Sequence, residues 1–279
     1  MQTLNCRGKL IYLSIPKVMG IINVTTDSFY DGGKTTTEKD ILSQAEKMLW
    51  DGATFLDVGG YSTRPGANEV TETEEIKKVT EAITLILKKF PDALISVDTF
   101  RSEVARKAVE AGATMVNDVS GGTLDSEMYA TVGKLKVPYI LMHMRGTPKT
   151  MSTLTDYENV TIEVIKDLTS KIALARAEGI NDVISDPGFG FAKTREQNFE
   201  VLNNLELFQN LEIPLLSGVS RKSFIYKTLN TTPERALNGT TFINTVSLMK
   251  GASILRVHDV KEAVECVKLW CAFNGLEHS

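Results

Sequence analysis

Short apolar segments alternate along the chain with longer segments whose apolar residues recur every three or four positions. Eight of the short segments are rich in β-branched residues: Val18 to Val24, Thr54 to Val58, Ala93 to Val97, Thr114 to Val116, Pro138 to Met142, Asp182 to Ile184, Pro214 to Val219 and Ser253 to Val257. Runs of this length and composition predict β-strands. Because these strands are almost continuously apolar, we expect both faces of their sheet to be covered, as in parallel sheets.

The segments between the predicted strands have the periodicity of amphipathic helices. Two apolar stripes have this spacing: Ile41, Ala45, Met48 and Leu49, and then Ile76, Val79, Ile83, Ile86 and Leu87. Helix starts are predicted from capping signals at three places: Thr37 with Asp40, Thr194 with Gln197, and Thr232 before Pro233. Strand and helix therefore alternate through most of the chain.

Eight strand-helix units predict an α/β fold in which a parallel sheet closes on itself, a (β/α)8 TIM barrel. An open, doubly wound sheet is the alternative for this pattern. Residues 1–15 fall outside the repeat, and the alternation in "KLIYLSI" predicts a short N-terminal hairpin that plugs the N-terminal end of the barrel. Since no linker or internal repeat divides the sequence, residues 1–279 are expected to form a single domain.

Composition narrows the possible partners. Of the 279 residues, 42% are hydrophobic and 24% are charged, which suits a folded chain with a full core. A net charge of -4 gives no reason to expect nucleic acid or a membrane as partner. Without a long apolar run or a signal-peptide core, we expect a cytoplasmic protein. Cys6, Cys266 and Cys271 lack metal-type spacing and are expected to be reduced thiols.

Polar residues follow every predicted strand at its carboxyl end, and in a barrel these ends meet at one mouth, where barrel active sites lie. Taken singly, they have ordinary explanations: Asp98 and Asp118 suit helix caps, and His143 suits a satisfied interior position. Taken together at one mouth, they would form a costly buried cluster unless a ligand satisfied them. The segments are "NVTTDSFYDGG", "DVGGYSTRPGA", "SVDTFR", "VNDVSGG", "LMHMRGTP", "SDPGFGFAK", "SGVSRKSF" and "RVHD".

Charge divides these residues into two groups that suggest the shape of a ligand. One group offers hydrogen-bond acceptors to a flat heterocycle with several N–H donors: Asp98, Asn117 and Asp186. The other group would surround an anion on the opposite side of the mouth: Arg64, Lys222, Arg256 and His258. A pterin-like ring carrying a phosphate group has this division of charge. The chain contains neither a Walker loop nor a G-x-G-x-x-G sequence, so an ordinary nucleotide is less expected.

Seven segments, in order along nearly the whole chain, resemble the signature segments of the dihydropteroate synthase family: "GIINVTTDSFYDGG", "DVGGYSTRPGA", "SVDT", "VNDVSGG", "DPGFGF", "SRKSF" and "RVHDV". Two positions depart from the family pattern, Thr26 in place of the usual proline and Ala192 in place of the usual glycine. The resemblance implies a pterin-binding barrel enzyme of folate biosynthesis. Such enzymes condense 6-hydroxymethyl-7,8-dihydropterin pyrophosphate with 4-aminobenzoate, and Mg²⁺ is the implied cofactor.

The resemblance also implies a role for each matching residue. The pterin pocket would comprise Asp98, Asn117, Asp186 and Lys222. The pyrophosphate site would comprise Asn23, Arg64, Arg256 and His258, with Asn23 also binding Mg²⁺. The aminobenzoate site would comprise Thr63, Arg64, Pro65, Phe191, Lys222 and Ser223. The residues implied in catalysis are Asn23, Asp98, Lys222, Arg256 and His258.

Two other functions remain open from the sequence. A methyltransferase that passes a methyl group from methyltetrahydrofolate to a corrinoid protein would also read a pterin, but it would not need the cationic segments "SRKSF" and "RVHDV". A pterin-binding module without catalysis would not need the combined set of cationic and acidic residues. The resemblance further implies a homodimer with the last helices at its interface.

Overall fold

The computed structural model describes residues 2–24, 37–61 and 70–277, which contain ten strands and nine α-helices, and strand and helix alternate from the third strand onward. The strands are β1 (Thr3–Cys6), β2 (Lys9–Tyr12), β3 (Lys17–Asn23), β4 (Phe55–Gly59), β5 (Leu94–Asp98), β6 (Met115–Asp118), β7 (Tyr139–Met142), β8 (Val183–Asp186), β9 (Leu216–Ser217) and β10 (Ile254–Val257). The helices are α1 (Glu38–Trp50), α2 (Glu72–Lys89), α3 (Ser102–Glu110), α4 (Met128–Leu135), α5 (Val160–Ala177), α6 (Arg195–Asn203), α7 (Ser223–Thr228), α8 (Leu237–Met249) and α9 (Val260–Phe273).

Strands β3 to β10 form one parallel sheet in the order β8-β7-β6-β5-β4-β3-β10-β9. A parallel bridge between Ser185 and Leu215 joins β8 to the residue before β9 and closes the ring. The predicted (β/α)8 barrel is therefore confirmed. The seventh barrel strand is shorter than predicted, Leu216–Ser217 instead of Pro214 to Val219. Pro214 has no backbone N–H to give to a ladder, although its carbonyl accepts from the Ser185 amide at 2.9 Å.

The N-terminal hairpin closes the lower end of the barrel, as predicted. Strands β1 and β2 pair antiparallel, and the hairpin buries Leu4, Cys6, Ile11 and Leu13. These side chains pack on a ring to which each barrel strand contributes one apolar residue: Met19, Phe55, Leu94, Met115, Ile140, Ile184, Leu216 and Ile254. The interior of the barrel thus begins with a solid apolar floor.

The helices cover the outer face of the sheet with the predicted apolar stripes. Val79, Ile83 and Ile86 of α2 are fully buried. The predicted capping boxes at Thr37 and Thr194 are present, and a further box caps α2: Thr71 with Glu74. The third predicted start differs, because Thr232 precedes only a 3₁₀ turn, Pro233–Arg235, and its side chain makes no cap.

The structure also shows the state of the three cysteines and the character of the helices. Cys6, Cys266 and Cys271 are buried free thiols. Within the described ranges, no helix has both the length and the apolar character needed to cross a membrane.

Candidate active site

A layer of polar side chains lies directly above the apolar floor of the barrel. Since successive residues of a strand point to opposite faces, a residue two positions beyond a floor residue also points inward. Five strands change from apolar to polar at this step: Phe55 to Asp57, Leu94 to Ser96, Met115 to Asn117, Ile184 to Asp186, and Ile254 to Arg256. The polar groups predicted from strand ends therefore converge at the carboxyl-terminal mouth.

Arg256 connects two carboxylates across the mouth. Its Nε donates to Asp57 Oδ2 at 2.6 Å, and its Nη2 donates to Asp98 Oδ2 at 2.5 Å. Asn117 Nδ2 donates to the same Asp57 oxygen at 3.0 Å. The structure thus brings together three predicted site residues from β5, β6 and β10. The fourth member, Asp57 on β4, was not predicted, and the signal for it was a carboxylate inside the otherwise apolar strand "FLDVG".

The surroundings of Asp98 change its acidity. Burial raises the pKa of Asp98 to about 7, while the Arg256 guanidinium opposes this rise and the neighbouring Asp57 adds to it. Burial disfavours the charged form of Arg256, but Asp57 and Asp98 more than offset this effect, so its pKa is raised. Arg256 is therefore a permanent cation, whereas Asp98 titrates near neutrality.

Asp186 and Lys222 form a second charged group on the other side of the mouth. Asp186 ends β8, and its Oδ1 accepts from the Gly188 amide at 2.8 Å. Lys222 Nζ donates to the Phe189 carbonyl and lies 4.8 Å from the centroid of the Phe191 ring. Burial raises the pKa of Asp186, against the opposing effect of Lys222. Burial lowers the pKa of Lys222 to about 8, and Asp186 opposes that shift.

The buried side chain of Lys193 fixes the segment after β8 through hydrogen bonds. Its Nζ donates to three backbone carbonyls, those of Pro187 at 2.8 Å, Gly188 at 3.1 Å and Phe191 at 3.2 Å. It also lies 3.0 Å from His143 Nδ1. Burial lowers the pKa of Lys193 to about 7.

His143 occupies the satisfied interior position that the sequence favoured. Burial, together with the positive charge of Lys193, lowers the pKa of His143 to about 2. The imidazole is therefore neutral, and its Nδ1 lies beside a Lys193 ammonium whose three N–H groups are already given to the three carbonyls. Lys193 itself was not predicted, and its only signal was a lysine directly after the glycine-rich segment "DPGFGFA".

The remaining predicted residues lie at the same mouth or outside the described ranges. Asn23 ends β3 and pairs in register with Gly59, which pairs in turn with Asp98. His258 follows β10, and its Nδ1 lies 3.0 Å from Ser220 Oγ. Ser223 is exposed at the start of α7. Three predicted site residues lie outside the described residues, Thr63, Arg64 and Pro65, and so does the part of the segment "NVTTDSFYDGG" that follows Val24.

Asp118, by contrast, has a structural role. Its carboxylate accepts from the Tyr139 hydroxyl at 2.6 Å and from the amides of Ser120 and Gly122, both at 2.7 Å. It therefore shapes the turn after β6 instead of facing the mouth.

Few protein ligands for a metal ion are available in the described part of this mouth. Within residues 2–24, 37–61 and 70–277, no group of three or more His, Cys, Asp or Glu side chains could hold a metal ion. Mg²⁺ commonly takes only one or two protein oxygens and completes its shell with water and substrate phosphate. The amide oxygen of Asn23 is a ligand of this kind, so the donor set fits Mg²⁺ that is bound together with a phosphate ligand.

Comparison with known proteins agrees with this geometry. The sequence pattern of the family described as pterin binding enzymes matches residues 19–258. A dihydropteroate synthase from Synechocystis sp. is 44% identical over 271 residues, which cover 96% of this chain and 92% of that protein. The chain belongs to the dihydropteroate synthase family.

Solved dihydropteroate synthases have the same fold over their full length. A Xanthomonas albilineans dihydropteroate synthase with 4-aminobenzoic acid has a TM-score of 0.91 and 37% sequence identity, with 99% of both chains covered. Dihydropteroate synthase from the same organism in complex with 7,8-dihydropteroate has a TM-score of 0.88 and 35% identity, with 99% of this chain and 100% of that chain covered. The resemblance to the dihydropteroate synthase family is thereby confirmed.

Proposed function

We propose that the protein condenses 6-hydroxymethyl-7,8-dihydropterin pyrophosphate with 4-aminobenzoate to give 7,8-dihydropteroate and pyrophosphate, a step of folate biosynthesis. The observation that carries this proposal is a barrel mouth in which the buried acceptors Asn117 and Asp186 lie among the part-buried cations Lys222 and Arg256, above an apolar floor. Solved relatives of the same family bind 4-aminobenzoic acid and 7,8-dihydropteroate. A flat, N–H-rich ring with a pyrophosphate group is complementary to this combination of acceptors and cations.

The pterin ring is recognised by acceptors. Asp186 is buried and ends its strand at the mouth, so its carboxylate accepts from the amino and amide N–H groups of the ring. Asn117 and Asp98 add acceptors from neighbouring strands that pair in register. Lys222 places a positive charge near Asp186 and limits the cost of burying that carboxylate.

The pyrophosphate group is held at the cationic side. Arg256 lies beside Asp98 and brings a permanent positive charge to the place where the leaving group departs. Asn23 ends β3 and His258 follows β10, the neighbouring strand, and Arg64 remains a sequence prediction for this subsite. Mg²⁺, held by Asn23 and the phosphate oxygens, would neutralise charge on the pyrophosphate.

The reaction follows from this placement of charge. The C–O bond between the methylene carbon and pyrophosphate breaks, and the dihydropterin ring delocalises the positive charge left on that carbon. Asp98 in its ionised form stabilises this cation. The amine nitrogen of 4-aminobenzoate then forms the C–N bond and gives up one proton.

The aminobenzoate site lies beside the pterin pocket. Phe191 offers an apolar face under the Lys222 ammonium, and Ser223 begins the next helix with an exposed hydroxyl. We assign the benzoate ring to Phe191, and its carboxylate to Ser223 and Lys222. Thr63, Arg64 and Pro65 remain predictions for the same site.

Release of pyrophosphate by the purified protein tests the function directly. We expect release only when the pterin pyrophosphate, 4-aminobenzoate and Mg²⁺ are all present. Omission of each component in turn should abolish formation of dihydropteroate. Release that does not depend on 4-aminobenzoate would mean that the protein is a hydrolase instead.

We further propose that two copies of the chain pair through α8 and α9, which pack against each other. Each helix exposes large apolar side chains on one side: Phe242 (66% exposed) and Met249 (54%) on α8, and Leu269 (72%) and Phe273 (75%) on α9. Spacings of seven and four residues put each pair on one helix face. Exposed apolar surface of this kind is typical of an interface.

The cytoplasmic location stays a prediction.

A further inference from the structure

Asp57 contacts one member of each ligand group assigned above, Asn117 and Arg256, and belongs to neither group. Its side chain is completely buried (0% exposed), on an inward position of β4 above Phe55. One oxygen, Oδ2, accepts hydrogen bonds from two residues that the proposed function uses, Asn117 and Arg256. No protein atom of the described residues bonds to the other oxygen, Oδ1.

The contact with Asn117 decides which end of its amide faces a ligand. A side-chain amide has one donor end and one acceptor end, and an unconstrained amide can turn either way. A carboxylate that pairs with a guanidinium accepts hydrogen bonds and has none to give. Asp57 therefore fixes the Asn117 NH₂ group toward itself, and the amide oxygen is left to accept from the N–H groups of a pterin ring.

The contact with Arg256 decides how the guanidinium lies. Its Nε is bonded to Asp57 and its Nη2 to Asp98, so a planar group is fixed at two of its three nitrogens. The third nitrogen, Nη1, has no acceptor among the described residues. The orientation that Asp57 imposes thus leaves donors for an anion.

We propose that Asp57 is a positioning residue whose single carboxylate orients Asn117 for ring recognition and Arg256 for anion recognition. This inference rests on the proposed function, because it concerns the same two ligand groups. It extends that function by linking the two halves of the site through one buried acceptor. The charge of Asp57 matters as well as its shape, since it offsets the buried guanidinium.

The variant Asp57→Asn tests this role, because it keeps the shape but loses the charge and converts one oxygen into a donor. Two separate compounds report on the two halves, 6-hydroxymethylpterin without phosphate, and inorganic pyrophosphate with Mg²⁺. By calorimetry, we expect each compound to bind Asp57→Asn at least about tenfold more weakly than it binds the wild-type protein.

Ser96→Ala is the matched control. Ser96 pairs in register with Asp57 on the neighbouring strand, is equally buried, and has a hydroxyl without a partner in the described part of the chain. Its removal should leave both affinities within about twofold of the wild-type values, because no described contact is lost.

The outcomes are distinct. Unchanged affinity of Asp57→Asn for both compounds would overturn the proposal, and so would a loss confined to one compound, because the shared acceptor would then not link the two halves. Equal losses in Ser96→Ala would show a general loosening of the barrel and would also overturn it. If the wild-type protein bound neither compound, the proposed function itself would fail, and the role of Asp57 with it.

A second measurement does not depend on the folding of a variant. In a crystal structure of the wild-type protein with the pterin and pyrophosphate bound, Asp57 should still accept from both Asn117 Nδ2 and Arg256 Nε, at no more than about 3.2 Å. A complex in which either side chain leaves Asp57 to reach its ligand would contradict the proposal.

Discussion

Four aspartates in or at the ends of barrel strands have the same side chain but different surroundings, and their roles follow from those surroundings. Asp118 is saturated by a tyrosine hydroxyl and turn amides. Asp57 binds two neighbouring side chains. Among the described residues, the Asp98 carboxylate accepts from one guanidinium and the Asp186 carboxylate accepts from one backbone amide. These two have fewer described donors than Asp57 or Asp118, and they therefore keep the most acceptor capacity for a ligand.

Asp186→Asn should weaken pterin binding more than tenfold. The substitution places an NH₂ donor opposite the N–H groups of the ring, a mismatch worth roughly 2 to 4 kcal/mol. Calorimetry with 6-hydroxymethylpterin measures the effect, and Asp92→Asn at an exposed turn is the control. Unchanged pterin affinity would show that Asp186 does not read the ring.

Asp98 should titrate near pH 7, because burial raises its pKa to about 7. Arg256→Gln removes the cation that favours the ionised form, so the pKa of Asp98 should rise further. Carbon-13 NMR of the Asp98 carboxyl group follows both values. Arg221→Gln, which breaks a similar ion pair with Asp259, should leave the pKa of Asp98 unchanged. A wild-type pKa near the ordinary carboxyl value would contradict this expectation.

The direction of the stability effect also follows from this pKa. The folded-state pKa of Asp98 lies above its ordinary value of 3.8, so the folded protein holds a proton that the unfolded chain releases. The contribution of Asp98 to the free energy of unfolding should therefore decrease as the pH rises from 3.8 to about 7.

At the residue scale, sequence predicted Asp98, Asn117, Asp186, Lys222 and Arg256 at one mouth, because each lies in or just after a predicted strand. Their catalytic and binding roles stay predictions. Asp57 and Asp118 show a limit of sequence-based prediction. The alternation of residues along a strand shows that neighbours face opposite sides, but it does not show which side is the barrel interior. That choice depends on packing across strands.

Among the elements, the segment from β8 to α6 depends most on a single side chain. Lys193→Met would leave three carbonyls without their shared donor. We expect the free energy of unfolding to fall by roughly 1 to 3 kcal/mol, and affinity for 4-aminobenzoate to fall because Phe191 moves. Urea unfolding and calorimetry measure the two effects.

The matched control for this prediction is Lys227→Met. Lys227 is an exposed lysine on α7, and its loss should change stability by no more than about 0.5 kcal/mol. Equal stability of Lys193→Met and the wild-type protein would show that the buried ammonium does not support the segment.

Most elements were predicted correctly because period-2 and period-3.6 patterns are local properties of a sequence. The capping boxes at Thr37 and Thr194 were readable for the same reason. The short strand β9 was not, because its length is set by how the ring closes beside Pro214. Closure is a property of the whole sheet.

At the scale of the whole molecule, we expect a homodimer in solution through α8 and α9. Light scattering at micromolar concentration should give about twice the chain mass of 30.7 kDa. Leu269→Lys with Phe273→Lys should give the monomer mass, because charges would replace exposed apolar side chains at the interface. A matching pair of changes at Trp50 and Leu174, exposed elsewhere, should leave the dimer intact. A monomer mass for the wild-type protein would contradict the proposal.

The join between β8 and β9 has a consequence for how the barrel opens. Among the described residues, a single bridge, Ser185 to Leu215, connects β8 to the residue before β9, so we expect this join to open locally more often than the fully paired joins. Asp186 lies on one side of it and Lys222 on the other. A pterin that contacts both residues would therefore bridge the join and stabilise its closed form. Hydrogen–deuterium exchange in residues 183–186 and 214–217 should therefore slow when the pterin binds, whereas exchange in the well-paired β3 and β4 should change little.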